Sequence, residues 1–351
     1  MAFDPLARLR RTLHLTFGGS EAVPEWQYEL ERGEDGGYFA PHSAVWSVHG
    51  GMTPIAAGVR ALLVQALHPG ALAGVAEHSN YERDALGRLA GTIRWIFTVT
   101  YGSTDAARRA CEHARKLHVP VRGQYAGVDG EPTYYSANSP HLGLWVHCAF
   151  ADAFLRAYEE HRGPVPVPPD ALPGESGADA YVREWAVAGE LMGVQDPPRS
   201  EAALVAALEG FDERGELRCD ERTLRVVGFI RRPPLDPSLR SGYALLFRGA
   251  VDSLSPRWRE LLGLRGSGFS LPRLPRAARA AAAAPAPAGL ATSGASTASN
   301  GSSARRRVET PWVGRLGAGL VLRLAGATLV KVGPAELSAR ARMKRVGAHG
   351  M

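Results

Sequence analysis

The residues of this sequence best suited to chemistry are its histidines. Nine of the eleven histidines lie between His42 and His161, in the central part of a chain of 351 residues. Neutral imidazole is a common protein ligand for transition metals, and its pKa also permits proton transfer near neutral pH. The concentration of histidine therefore predicts a metal or cofactor site in this part of the chain.

The spacing of the histidines does not match the familiar zinc signatures. The sequence has no HExxH motif, and His113 and His118 are five residues apart, which places them well round a helix from each other. A non-haem metal site would need histidines brought together by the fold. The candidates for such a site are His68, His78, His118 and His147. However, His68 lies at a helix end and His78 lies in a turn, so capping or hydrogen bonding explains these two residues better.

A haem needs less from the sequence, because one imidazole on a helix is a sufficient protein ligand. His118 ends a predicted helix in ARKLHVPVRG. In GRLAGT, Arg88 and Thr92 share a helix face, and small residues beside them would let a flat ligand approach. His147 lies within an apolar stripe and is predicted to be buried. On these residues alone, the ordinary structural interpretations are a helix-terminal histidine, a surface arginine beside a capping threonine, and a core histidine.

The elements that position these residues are predicted to be helices. Thr53 is the predicted cap of a core helix that Pro69 stops, and Thr104 with Asp105 opens another. Helical patterns cover 84–101, 104–118, 143–161, 181–194, 200–211, 243–254 and 256–264, with a turn-bearing loop or short hairpin over 123–140. Since no region is rich in strands, the predicted class is all-α.

The predicted organisation has four parts. These are an N-terminal arm (1–45), a haem-binding helical domain (46–265), a disordered linker (276–307) and a basic helical segment (308–351). The linker consists mainly of Ala, Pro, Ser, Gly and Thr, which bury too little apolar surface to offset chain entropy. Charged residues interrupt the last segment, so it is a poor membrane span. It is predicted to pack on the domain, with weak contact to a membrane surface as the alternative.

Composition and motif content favour some classes of function and argue against others. Three scattered cysteines, Cys111, Cys148 and Cys219, favour a reducing compartment, and the N-terminus has no apolar run of signal-peptide length, so a cytoplasmic location is expected. The net charge is +6, but no basic stripe is interleaved with aromatic residues, and nucleic-acid binding is not expected. No GxSxG, P-loop or Rossmann motif occurs in a convincing context.

Four segments together resemble one known family. They are GVRALLVQALHP, GVAEHSNYERDALGRLAGTIRWIFTVTYG, ARKLHVPVRGQYAGVDGEPTYYSANSPHLGLWVHCAFADAFLRAY and YVREWAVAGELMGV. Their order and spacing, over about residues 45–265, resemble the MpaB and latex-clearing-protein (rubber oxygenase) family. The resemblance implies a helical, globin-like core with b-type haem. Latex-clearing members cleave carbon–carbon double bonds with dioxygen, and fungal members cleave a terpenoid side chain.

The resemblance also assigns residues. His118 matches the axial ligand, and Arg88 with Thr92 matches an arginine–threonine pair beside the haem. Latex-clearing members use a glutamate as catalytic base, and this sequence has Leu72 at the corresponding distance, with Glu77 and Glu82 nearby. Polyisoprene is therefore not the expected substrate.

The sequence thus predicts a haem-dependent oxygenase that uses dioxygen on a small apolar or terpenoid substrate. In this hypothesis His118 binds the iron, Arg88 and Thr92 orient water, a propionate or bound oxygen, and His147 contributes to cofactor binding. Two alternatives remain open: a haem-binding or sensing protein without turnover, and a non-haem metal oxidoreductase.

Overall fold

The fold is a set of packed helices with one small hairpin. The structure, a computed structural model, describes residues 25–51, 53–79, 85–235, 237–264 and 334–349. The predicted linker (276–307), Glu82 and the side chain of Arg88 lie outside the described residues. The helices are α1 (Glu25–Glu29), α2 (Ala44–His49), α3 (Thr53–Gln65), α4 (Pro69–His78), α5 (Ala85–Tyr101), α6 (Thr104–His118), α7 (Pro140–Arg162), α8 (Gly177–Leu191), α9 (Glu201–Glu213), α10 (Glu221–Arg231), α11 (Pro237–Ser253), α12 (Pro256–Leu261) and α13 (Pro334–His349).

Helices α3 and α7 form the centre of the fold and pack against each other more extensively than any other described pair of helices. Both are rich in buried alanine, including Ala57 and Ala61 in α3 and Ala149 and Ala153 in α7. Small side chains allow two helix backbones to approach closely, so this pair can pack tightly along its length. Helices α8, α9 and α11 also pack against α7.

Helices α5 and α6 are consecutive and pack against each other. The cap of α6 is Ser103, whose hydroxyl accepts a hydrogen bond from the N–H of Ala106 at 3.3 Å, rather than the predicted Thr104. Ser103 fits this position because its extended backbone lets its side chain reach the first free N–H groups. The bounds of α6 are otherwise those that the sequence predicted.

The predicted hairpin is present as β1 (Arg122–Ala126) paired antiparallel with β2 (Pro132–Ser136), with Gly123 opposite Tyr135. The turn between the strands contains Gly130 at φ +85°, a conformation that glycine adopts without strain. The hairpin packs on α4, a helix that the sequence analysis missed. The all-α class is confirmed, because the hairpin is the only sheet in the described part of the chain. The globin-like arrangement stays a prediction.

Helix α13, in the predicted basic C-terminal segment, packs against α1 and α5. Among the described helices, none is by itself long and apolar enough to cross a membrane. Helices α3 and α4 would reach that length together, but they are bent by 108° at the break between them. The apolar side chains of α3 and α4 belong largely to the buried core. Contact of the C-terminal segment with a membrane surface stays a prediction.

Candidate functional site

A small apolar cavity lies between α3, α5 and α7. Its lining is aliphatic and aromatic except for Thr92, one of the predicted site residues. The other lining residues are Pro54, Gly58, Leu62, Ile93, Ile96, Phe97, Phe150 and Phe154. The cavity volume is about 20 Å³, which is space for about one water molecule, so this cavity alone does not hold a haem. Arg88 is one helical turn before Thr92 and shares its face of α5.

His147 is buried on α7, as the sequence predicted. It shares a helix face with Phe150 and Phe154, which line the apolar cavity. Its Nε2 is buried and has no hydrogen-bond partner among the described residues. Burial lowers the pKa of His147 to about 4, so the ring is neutral at physiological pH. On the other side of the ring, a Cβ added at Gly189 of α8 would lie 2.9 Å from Nδ1, which explains why this position has no side chain.

His118 is the last residue of α6, and its side chain is partly buried. Its backbone carbonyl accepts the N–H of Val121 at 3.0 Å, which starts the turn into β1. One turn earlier, the carbonyl of Arg115 accepts a hydrogen bond from the Asn138 side chain at 3.0 Å. The segment after β2 therefore anchors the end of α6, and His118 lies at this anchored helix terminus.

The four histidines proposed for a non-haem metal do not form a ligand group within the described part of the chain. His68 caps α4, because its Nδ1 accepts the N–H of Gly70 at 3.1 Å. His78 donates from Nε2 to the carbonyl of Arg122 at 3.2 Å. The capping and hydrogen-bonding roles predicted for these two residues are confirmed.

A different trio has the spacing of a metal site. One ring nitrogen of His68, one ring nitrogen of His141 and a carboxylate oxygen of Glu216 lie within 4.8 Å of one another. The hydrogen bond from Gly70 to His68 argues against a metal there. It requires a lone pair on Nδ1, so a neutral ring carries its proton on Nε2 and donates it to Glu216 at 3.3 Å. A histidine that binds metal through Nε2 instead carries a proton on Nδ1 and donates it.

Glu77, one candidate base, has a structural role in this fold. Its carboxylate accepts hydrogen bonds from the Tyr135 hydroxyl at 2.8 Å and from the Arg222 guanidinium at 3.1 Å. Burial and the bond to Glu77 raise the pKa of Tyr135 to about 12, so the tyrosine remains the donor. Glu77 thus ties the hairpin and α10 to α4, and both carboxylate oxygens are engaged.

The sequence pattern does not single out His49, which is the most deeply buried histidine among the described residues. The Nδ1 of His49 lies 2.8 Å from the Thr100 hydroxyl and its Nε2 lies 3.1 Å from the Tyr181 hydroxyl. Burial lowers the pKa of His49 to about 3. Its ring also meets Phe154 edge-on, with 4.8 Å between centroids, so His49 supports one wall of the apolar cavity. No local sequence pattern predicts this hydrogen-bond network, because the two partners of His49 are 51 and 132 residues away in the sequence.

Residues 46–286 match the family model described as ER-bound oxygenase mpaB/B'/Rubber oxygenase, catalytic domain. The match covers more than half of the 351 residues. The chain belongs to this family. Comparisons with curated proteins and with solved structures give no match.

Membership confirms the resemblance on which the sequence analysis relied and places the protein among oxygenases, which are oxidoreductases. The matched stretch begins within α2 and contains Thr92, His118 and His147. Residues 25–45 and helix α13 lie outside it. The candidate site therefore belongs to the oxygenase domain.

Proposed function

We propose that the protein is a haem-dependent oxygenase that uses dioxygen on a small apolar or terpenoid substrate, with His118 as the axial ligand of the haem iron. The family match supports the reaction class. The position of His118 supports its role, because hydrogen bonds from Asn138 and Val121 anchor the backbone at the end of α6 that carries it.

The observation that carries the proposal is the buried Nε2 of His147, which lacks a partner among the described residues. A buried polar atom without a hydrogen bond costs about 1–3 kcal/mol, and native proteins usually provide a partner. The ring is neutral, so it can make one such bond without burying a charge. A haem brings propionates and ordered water, and we assign His147 to cofactor binding on this ground.

A bound haem would bind and activate dioxygen. In this proposal His118 would hold the iron through a ring nitrogen, and Arg88 would pair with an anionic propionate. The hydroxyl of Thr92 is the polar group in the otherwise apolar lining of a cavity with space for about one water molecule, so it would orient water there. Aromatic walls such as Phe150 keep bulk water away from the reacting groups.

The test compares His118→Ala with His113→Ala in the purified full-length protein. His113 is an exposed histidine on the same helix and serves as the matched control. We expect a Soret band and one haem per chain in the parent and in H113A, and loss of both in H118A. Added imidazole should restore the band in H118G, which separates loss of a ligand from loss of the fold.

Three results would contradict the proposal. A Soret band unchanged in H118A would remove this residue from the ligand role. Iron without porphyrin in elemental analysis would favour a non-haem oxidoreductase. Bound haem with no oxygen uptake on any apolar alkene would favour a carrier or sensor.

A further inference from the structure

Helix α13 contacts residues 30–37. These residues are part of the predicted N-terminal arm (1–45), and from here on the name arm refers to 30–37 only. Both lie outside the matched oxygenase domain. In sequence, residues 265–333 separate α13 from the end of the described domain. The contact between them rests largely on arginine side chains of α13 and backbone carbonyls of the arm.

Arg342 is the centre of this contact, and it is fully buried. Its guanidinium donates to the carbonyls of Leu30 at 2.6 Å, Asp35 at 3.0 Å and Gly36 at 3.4 Å. One turn further along α13, Arg345 donates to the carbonyls of Glu31 at 2.9 Å and Gly33 at 2.7 Å. Five carbonyls of the arm thus converge on two arginines. The planar fork of arginine suits this task, because it presents several donors in fixed directions.

Two glycines allow the arm to take this shape. Gly33 has φ +110° and Gly37 has φ +79°, values that L side chains rarely adopt. A Cβ at Gly33 would lie 2.5 Å from the Cβ of Ser103, and one at Gly37 would lie 2.2 Å from the Gly102 carbonyl oxygen. The arm is therefore pressed against the α5–α6 turn on one side while its carbonyls face α13 on the other.

Asp35 fastens the arm to the start of α6. Its carboxylate accepts the N–H groups of Gly37 and Thr104, each at 2.8 Å. Burial alone would raise the pKa of Asp35, but these hydrogen bonds hold it below its usual value. The Tyr38 hydroxyl adds a second link by accepting from Arg108 at 2.8 Å. The arm is thus attached at one end to α6 and along its length to α13.

The arm forms one wall of a large groove whose opposite wall is α5 and α6. The groove has a volume of about 1230 Å³, enough for an organic ligand of ordinary size. Gly91 of α5 and Leu117 of α6 line it, and they directly precede Thr92 and His118. A Cβ at Gly91 would meet no atom of the described residues within 4 Å, so the described part of the chain leaves this position of the groove open.

We propose that α13 is a releasable strap that holds the arm as the outer wall of this groove, and that its release opens the groove along α5 and α6. The contact is suited to release because guanidinium and carbonyl groups are both well solvated once apart. Few apolar side chains of α13 are buried, chiefly those of Ala335 and Ala339. Release of α13 would open the groove whichever cofactor the domain binds.

The test uses the full-length protein with Arg342→Met, which keeps side-chain length and removes the donors. Lys344→Met, at an exposed position of the same helix, is the matched control. Hydrogen exchange followed by mass spectrometry should show amides of the arm exchanging roughly ten- to a hundredfold faster in R342M, and unchanged in K344M. Amides of α3 and α7 should keep their parental rates.

A second readout follows the groove itself. R342M should bind more of the apolar dye 1-anilinonaphthalene-8-sulfonate than the parent. Adding Gly91→Leu, which fills open space in the groove, should remove that increase. Unchanged exchange in the arm would overturn the strap, and so would equal acceleration in α3 and α7, because α13 would then be part of the core. Extra dye binding that survives G91L would overturn opening of this groove.

Discussion

The packing of Gly189 against His147 can be tested with a pair of glycine-to-alanine substitutions. At Gly189 in α8, an added Cβ would lie 2.9 Å from Nδ1 of His147 and 3.2 Å from Cβ of Pro197. At Gly228 in α10, an added Cβ would meet no atom of the described residues within 4 Å. Both glycines lie inside helices, so alanine relieves the same helix-propensity penalty at each position.

The expected magnitudes follow from two opposing effects. Replacing glycine by alanine within a helix stabilises by about 0.5–1 kcal/mol. Only at Gly189 is this gain opposed by overpacking, which typically costs about 1–3 kcal/mol in a filled core. The His147 ring is buried and cannot move aside freely. Because the propensity effect cancels, G228A should be more stable than G189A by about 1–3 kcal/mol.

Urea unfolding of the full-length proteins, followed by circular dichroism, measures this difference. A haemin titration of the same variants gives a second readout, in which G189A should bind more weakly because His147 is displaced and G228A should match the parent. If G189A were as stabilising as G228A, the ring would not be held against Gly189. The observed position of the ring, which buries Nε2, would then be wrong, and so would the assignment of His147 to cofactor binding that rests on it.

Three further predictions concern residues around the site. The folded-state pKa of His49 is about 3 and its ordinary value is 6.5, so the stability that this residue contributes is present above pH 6.5 and is lost as the pH falls. Lowering the pH from 7 to 5 should therefore reduce the free energy of unfolding by about 2 kcal/mol through His49. In urea titrations, H49Q should lack this part of the pH dependence. Tyr135→Phe should cost about 1 kcal/mol in unfolding free energy, because Glu77 loses a donor, and should increase proteolysis of the hairpin; unchanged cleavage would argue against that tie. Asp152→Ala should cost about 3–5 kcal/mol, because it removes the carboxylate that forms an ion pair with buried Arg60, and thermal unfolding at the parental temperature would contradict this.

The sequence predicted the helices best where caps and apolar periodicity agree. Helix α6 was predicted from Thr104 to about His118, and α3 was predicted to start near Thr53, as both do in the structure. Helix α4 was missed because Pro69 was interpreted only as a stop for the preceding helix. Proline at the first position of a helix lacks an N–H that would be unpaired there anyway, so the same residue opens α4 with His68 as its cap.

Contacts between distant segments were beyond the sequence analysis. The pattern on α7 predicted that His147 is buried, but not that Gly189 of α8 presses on its ring. The C-terminal segment was predicted as a basic helix that packs on the domain, but nothing in its composition indicated that Arg342 is fully buried. Its burial depends on carbonyls of the arm, more than three hundred residues earlier. Neither contact follows from local spacing, because each requires a tertiary arrangement that charge and periodicity do not specify.

The histidines show why residue type and proximity are insufficient to assign a metal site. His68, His141 and Glu216 have the right atoms at suitable distances, yet one backbone N–H directs the proton of a neutral His68 to the nitrogen that a metal would need. In His147 the Nε2 atom is buried and has no hydrogen-bond partner among the described residues. An unsatisfied buried nitrogen leaves a cost that a bound group can remove, whereas the nitrogens of His68 both have partners. The need for a ligand is therefore greater at His147 than at the cluster that most resembles a metal site.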